Sequence, residues 1–442
     1  MKKNIANWGN YPVIEADVKP FTLVRELQQK LSASNETIAR GMGRCYGDAA
    51  LSDTVLSTLS FHHILGFDET EGIIDVESGL TLDAILEFIV PKGWFLPVTP
   101  GTKFITIGGA VASDVHGKNH HAEGCFRQHI IDMDVMDHTG NIITCSPFIN
   151  LELFQATTGG MGLTGIITRV KFQLKKIETA YIKQKMIKAK NLSEIIELFD
   201  TYSQYTYSVA WIDCLKSGSG FGRSILMLGE HAKRNELPYA LQKDPLKLPK
   251  KTSLTLPFYL PSFLLNRFTV SAFNFLYYHK MRKKEINNVV SYEPFFYPLD
   301  AIQHWNKGYG RKGFVQYQFV LPLEAREGLV EILRKINGNG HASFLAVLKI
   351  FGEDESLISF PMKGYTLALD LPVRKSLFPF LDELDKLVIQ YGGRIYLSKD
   401  ARMKPDMFFN GYPNAERFIS IIKTFNPGKF ISLLSKRLQI RS

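Results

Sequence analysis

An α+β fold in two parts follows from three features of this 442-residue sequence. Short β-type runs separated by glycine-rich turns fill residues 1–178. Strands alternating with amphipathic helices take over from about residue 179. A basic, aromatic segment at 231–290 interrupts that second region. At about 100–200 residues per domain, the length calls for two or three domains. The apolar fraction of 45% and the charged fraction of 22% exclude a disordered or fibrous chain.

The opening residues carry two lysines with no apolar run behind them, so no secretory leader is expected. No run of about 18 apolar residues is present to span a bilayer as a helix. In the first region, Gly72–Gly79 reads as a strand closed by a turn, and Leu82–Val90 as a short amphipathic helix. Ile130–Met136, the turn His138–Asn141 and Ile142–Cys145 read as a strand pair, and Ile166–Leu174 as one more strand. In the second region, Leu192–Tyr202, Leu323–Ile336 and Lys375–Tyr391 have helical period. Ser208–Asp213, Ser224–Leu228, Gly313–Leu321, Ser343–Phe351, Thr366–Leu371 and Arg394–Leu397 read as the strands of a sheet that those helices cover. After Asp400 the chain is helical and basic.

The net charge of +10 suits nucleic acid, an anionic membrane surface or a phosphorylated ligand. Most of it lies at 231–290, with eleven Lys/Arg against three acids, interleaved with Leu256–Leu265 and Phe273–Tyr278. Aromatics beside lysines suit peripheral contact with a membrane; the competing reading is a disordered, solvated loop. Nucleic acid is disfavoured, because no binding motif accompanies the charge. The cysteines at 45, 125, 145 and 214 form no Cys-x-x-Cys pair, which favours a reduced, cytoplasmic chain over a zinc ribbon or a disulfide framework.

Three loops concentrate glycine: Arg40–Asp48 (RGMGRCYGD), Pro100–His120 and Thr157–Gly165. Glycine lets backbone N–H groups approach a phosphate closely. The first loop only superficially echoes a dinucleotide fingerprint, since Asp48–Ser60 has no helical period. Together the loops suit a long, phosphate-bearing cofactor. His116, His120 and His121 lack the spacing and carboxylates of a metal site, so none is expected. His116 reads instead as a proton partner or hydrogen-bond donor beside a cofactor ring.

In combination, Gly43–Asp48, Pro100-Gly-Thr, Gly108-Gly-Ala, His116–His121 and Gly162–Ile167 resemble the vanillyl-alcohol-oxidase-type FAD enzymes, which carry a PCMH-type FAD domain. Within that superfamily the sequence is similar to the decaprenylphosphoryl-ribose 2′-oxidases. The similarity continues through Tyr207–Asp213, Tyr297–Asp300, Gln316–Phe319, Leu348–Gly352 and Tyr396–Asp400, nearly the whole chain.

The resemblance implies a two-part FAD-binding domain (1–178 and 394–442) around a substrate domain (179–393) with an antiparallel sheet covered by helices. It implies non-covalent FAD held by Arg40, Gly41, Gly43, Arg44, Cys45, Tyr46, Gly47, Gly101, Thr106, Gly108, Gly109, Ser113, His116, Gly117, Ile167 and Tyr396. Cys45 stands where the resembled oxidases have serine. Lys118, Trp211, Gln316, Gln318, Lys349, Thr366 and Asp370 would bind substrate, and Lys399 and His116 would be catalytic. Ala368, Thr366 and Phe296 replace a cysteine, an asparagine and a tyrosine of those oxidases, which bears on sugar and lipid identity.

The implied reaction oxidises the C2 hydroxyl of a polyprenyl-phosphate-linked pentose to the 2-keto sugar. It is the first half of an epimerisation that a separate NAD(P)H-dependent reductase completes, with oxygen or a quinone as electron acceptor. The alternatives are a soluble alditol or aldonolactone oxidase of the same superfamily and a peripheral membrane-binding protein without catalysis.

Overall fold

The computed structural model describes residues 2–248, 254–341, 343–354 and 356–440. Besides a two-stranded ribbon of Trp94–Phe95 and Lys175–Lys176, its first region holds two sheets. The smaller orders its strands Lys2–Ala6, Val13–Pro20, Thr54–Ser57, Ile38–Arg40, the first pair antiparallel and the rest parallel. The larger is antiparallel throughout, in the order Ile64–Asp68, Ile73–Glu77, Ile166–Gln173, Ile130–Met136, Ile142–Cys145. Along Ile166–Gln173, Val170 and Phe172 point into the core, while Arg169 points out and pairs with Asp75 and Asp132 on the flanking strands. The helix Leu82–Ile89 buries Leu82, Ile85, Leu86 and Ile89 against this sheet's core; Thr81 caps it, accepting the Ala84 N–H at 3.2 Å. Each such side chain contributes about 1.5–3 kcal/mol by leaving water.

Beside a two-stranded parallel ribbon of Leu254–Thr255 and Ile302–Gln303, the second region is built on one eight-stranded antiparallel sheet. Its order is Glu285–Ser291, Tyr181–Ala189, Ser224–His231, Tyr207–Ile212, Ala346–Phe351, Gly364–Pro372, Phe314–Leu321, Arg394–Ile395. Helices Leu192–Thr201, Arg326–Asn339 and Leu377–Gln390 pack on one face through Ile195, Phe199, Leu329, Ile332, Leu384 and Val388. The other face turns toward the glycine loops. The last helices, Pro405–Gly411, Ala415–Phe425 and Leu433–Arg437, return to the first region: the Leu433 N–H donates to the Leu51 carbonyl at 2.8 Å, and Arg437 pairs with Asp48 at 2.8 Å.

Where the sequence suggested a segment without order, the described parts of 231–290 carry a helix, Arg267–Lys280, and an edge strand, Glu285–Ser291, paired to Tyr181–Ala189. The helix gives no one-sided period because aromatic residues stand on its outer face as well as its inner one. Residues 249–253 of that segment lie outside the described residues. Among the described residues, no helix is long and apolar enough to cross a membrane.

Candidate active site

A cavity lies between the three glycine loops and the open face of the large sheet. Its walls are residues 39–46, 100–116 and 161–167, and its floor is built from three adjacent strands: Val347 and Lys349, Ala368, then Gln316 and Gln318. Gln316 and Gln318 share a face because side chains alternate along a strand.

The first wall is a cradle of backbone. The N–H groups of Gly41, Met42, Gly43 and Arg44 have no acceptor among the described residues, while the Cys45 and Tyr46 carbonyls accept from Trp8 and Gly9. Consecutive free N–H groups around a positive-φ residue form an anion-binding concavity, and Gly43 has φ +63°. A Cβ on Gly43 would strike the Arg40 guanidinium, and one on Gly41 the Thr106 hydroxyl. Arg40 itself is occupied: it donates to Asn7 Oδ1, to the Ala6 carbonyl at 2.7 Å and to the Ala50 carbonyl at 3.2 Å. Arg44 lies over the Trp8 ring at 3.6 Å. Burial pushes the Cys45 thiol pKa up.

The second wall is partly helical. Thr106 caps Ile107–Ala112 by accepting the Gly109 N–H at 3.2 Å, and Gly108 donates to the Ser78 carbonyl at 2.8 Å. A Cβ on Gly108 would crowd Ser78, whereas one on Gly101 would meet nothing within 4 Å. The Ser113 carbonyl accepts from the Tyr396 hydroxyl at 2.9 Å, and Tyr396 stacks on Phe360. Ile167 lines the third wall.

The three histidines diverge. His116 faces Gln318, Nε2 to Nε2 at 3.3 Å; its Nδ1 is buried without a partner. Burial, then the Lys349 charge, hold its pKa well below the ordinary value, so the ring is neutral. His121 bonds the Tyr205 carbonyl at 2.8 Å. His120 approaches Asp354 at 3.3 Å, as does the Cys125 thiol. These three side chains are a metal-ligand grouping, yet Asp354 is already paired to Arg127, which also binds Asp114.

On the floor, Gln316 donates to Asp370 at 2.6 Å and to the Tyr46 hydroxyl at 3.3 Å, while Gln318 reaches Thr366 at 3.3 Å. Lys399, in the turn after Tyr396, sets its ammonium 4.0 Å from the Tyr46 ring centre. Burial lowers the Lys399 pKa, opposed by the Asp370 charge, and burial raises that of Asp370. Burial and the Lys399 charge bring Lys349 down to about 7; burial and the Lys349 charge do the same to Lys118. On the floor side, buried Lys349, Lys399 and, behind them, Lys118 stand near the single Asp370 carboxylate, which leaves that side short of negative charge.

The structure therefore brings Arg40, Gly41, Gly43, Arg44, Cys45, Tyr46, Gly101, Thr106, Gly108, Gly109, Ser113, His116, Ile167, Gln316, Gln318, Lys349, Tyr396 and Lys399 to one cavity. Six others stand behind it. Gly47 is pressed against the Asp400 carbonyl and Gly117 against Thr99 and Asn119. Lys118 points at the Phe295 carbonyl and ring. Thr366 and Asp370 support the two glutamines. Trp211 sits one strand out from Val347 under Tyr277, ring centres 4.7 Å apart. Sequence reasoning missed Trp8, Ser78, Asp300 and Trp305, which also line the cavity; the Tyr297–Asp300 motif could have pointed to Asp300, whereas nothing in the local sequence marks the other three.

FAD fits this site: an amide cradle whose N–H groups meet no protein acceptor among the described residues, glycines where side chains would clash, buried cations, and orphaned polar atoms at Ser78 Oγ and His116 Nδ1. A family model described as the FAD binding domain matches residues 23–146. The chain is 37% identical to decaprenylphosphoryl-β-D-ribose oxidase of Mycolicibacterium smegmatis, over 99% of this chain and 98% of that protein. It is 30% identical to an uncharacterized protein of Streptomyces coelicolor over 81% of this chain and all of that protein. Similarity of 28% to L-gulonolactone oxidase of Scyliorhinus torazame covers 44% of this chain and 45% of that protein.

Proposed function

The chain belongs to the decaprenylphosphoryl-β-D-ribose oxidase family and is an FAD-dependent oxidoreductase, and from that premise we propose that it oxidises the C2 hydroxyl of a polyprenyl-phosphate-linked pentose to the 2-keto sugar. The observation that carries the proposal is the convergence of Gln316, Gln318, Lys349 and Lys399 on the cavity that the glycine loops line.

Hydride leaves a sugar carbon as the hydroxyl proton departs, so a base is needed at that oxygen. FAD, when bound, would supply the hydride acceptor, with oxygen or a quinone as the final electron acceptor. Lys399 is the base: burial disfavours its ammonium, so the neutral amine is within reach, and Asp370 steadies the cation once it has taken the proton. Gln316 and Gln318 hold the sugar hydroxyls, each fixed from behind by Asp370 or Thr366. His116, neutral and bonded to Gln318, orients that amide and offers a ring nitrogen to the reacting centre.

Lys349 meets the substrate phosphate, and Lys118 adds positive potential from the layer beneath. A separate NAD(P)H-dependent reductase returns the ketone to the inverted alcohol. The free cysteines fit a reducing, cytoplasmic setting, and the basic, aromatic segment 231–290 fits peripheral contact with a membrane. The similarity to L-gulonolactone oxidase favours, as a second reading, a free sugar or lactone as substrate. Incubation with prenyl-phosphoryl ribose and an artificial acceptor, read by mass spectrometry, tests the choice. The expected product is lighter by two hydrogens; turnover of free sugars with no product from the lipid phosphate would overturn the proposal.

A further inference from the structure

Helix Arg267–Lys280 is apolar on the face it turns to solvent. Its inner face is fixed: Asn274 donates to Asp213 at 2.8 Å, and Val270 packs with Leu215 and Phe344. On the outer face the spacing i, i+4, i+7, i+8 puts Phe268, Ala272, Phe275 and Leu276 on one stripe. Phe268, Phe275 and Leu276 are 83%, 53% and 68% exposed, and Phe263, just ahead of the helix, is 71% exposed. A contiguous patch of this kind marks an interaction surface.

Along the chain the charges beside it have one sign, although Lys284 is paired with Glu194 at 3.2 Å. Residues 254–284 contain no Asp or Glu, and Arg267, Lys280, Arg282, Lys283 and Lys284 fall within them. A groove at the helix's C-terminal end has Phe273, Leu276 and Tyr277 on its walls, with His279, Lys280 and Arg282 beside them. The same element adjoins the cavity, because Leu265 packs in one cluster with Tyr46 and Trp305, both of which line it.

We infer that residues 254–284 seat the protein on an anionic lipid surface. Phe268, Phe275 and Leu276 enter the acyl boundary, while Lys280, Arg282 and Lys283 meet the headgroup phosphates. A second copy of the chain would set this basic patch against its like, and the cores of protein interfaces are depleted in lysine; a lipid surface satisfies both components. The orientation brings the cavity rim at Trp8 and Trp305 to headgroup level, which rests on the polyprenyl-phosphate reading for what crosses that rim.

Flotation of the FAD-loaded protein with vesicles tests the inference without any substrate. Wild type floats with vesicles containing phosphatidylglycerol and not with pure phosphatidylcholine. Arg282→Glu/Lys283→Glu and Phe268→Asp/Leu276→Asp each lower partitioning by more than about tenfold, with the flavin spectrum and melting temperature unchanged. Wild type that ignores the anionic vesicles, or variants that float as it does, would overturn the inference. So would a dimer that forms without lipid and is lost in Phe268→Asp/Leu276→Asp. Failure here leaves the sugar oxidation standing, and failure of the oxidation leaves lipid binding standing.

Discussion

Lys399 holds its ammonium 4.0 Å from the centre of the Tyr46 ring, and so couples the turn after the last strand of the large sheet to the first glycine loop. Tyr46 also receives the Gln316 amide, which donates in addition to Asp370. One connected set of side chains thus reaches from the cofactor wall to the substrate floor, and its only basic member is Lys399.

Lys399→Ala is therefore expected to bind FAD as wild type does and to slow flavin reduction by substrate by about 10²–10⁴-fold. Stopped-flow absorbance under anaerobic conditions reads the rate. Reduction at the wild-type rate would remove Lys399 from the chemistry.

Two glycines separate folding from cofactor binding. Gly43→Ala places a side chain at φ +63° and against the Arg40 guanidinium, so it is expected to cost about 1–3 kcal/mol and to yield protein without flavin. Gly101→Ala adds a methyl group that meets no protein atom within 4 Å and projects beside the cavity. Its stability in urea should lie within about 0.5 kcal/mol of wild type, with weaker FAD affinity by fluorescence titration. Equal FAD affinity in Gly101→Ala and wild type would argue against this wall as the cofactor's.

The buried lysines predict a pH dependence. Lys118 and Lys349 sit at about 7 in the folded protein against 10.5 ordinarily. Between those values the unfolded chain binds more protons, so the stability of the cofactor-free protein rises with pH from about 7 upward, by at most about 1.4 kcal/mol per unit for each lysine. Lys399, lowered to about 8, adds to the rise above that pH, so Lys349→Met should lose roughly a third of it in urea melts. An anion that meets these ammoniums raises their pKa values, so its affinity falls as pH climbs through this window. A substrate KM independent of pH there would contradict the phosphate assignment.

Asp354 joins Arg127, His120 and Cys125 across the gap between the histidine loop and the end of strand Ala346–Phe351. Asp354→Ala strips the buried Arg127 guanidinium of a paired carboxylate and is expected to cost about 3 kcal/mol in urea unfolding. A loss under about 1 kcal/mol would show that the Asp354 pairing contributes little to stability.

Much of this site was legible in the sequence, because its parts are local patterns. Glycines cluster within a few residues, Gln316 and Gln318 alternate along one strand, and His116 lies within a glycine loop. What stayed hidden depends on contacts between distant segments. Arg40 lines the cavity as expected of it, but the bonds its guanidinium makes to Asn7 and the Ala6 carbonyl join segments more than thirty residues apart. His120 finds its partner 234 positions away. Trp8 and Trp305 reach the same cavity from opposite ends of the chain. Helix Arg267–Lys280 was obscured because the rule that polar residues face water does not hold on its outer side.

The most direct test of the central claim is anaerobic titration of the purified, flavin-loaded protein with prenyl-phosphoryl ribose, followed at the oxidised flavin band. The account predicts stoichiometric bleaching by the lipid-linked sugar, with free ribose leaving the band unchanged. Flavin that stays oxidised in the presence of the lipid-linked sugar, or that free ribose bleaches equally well, would contradict it.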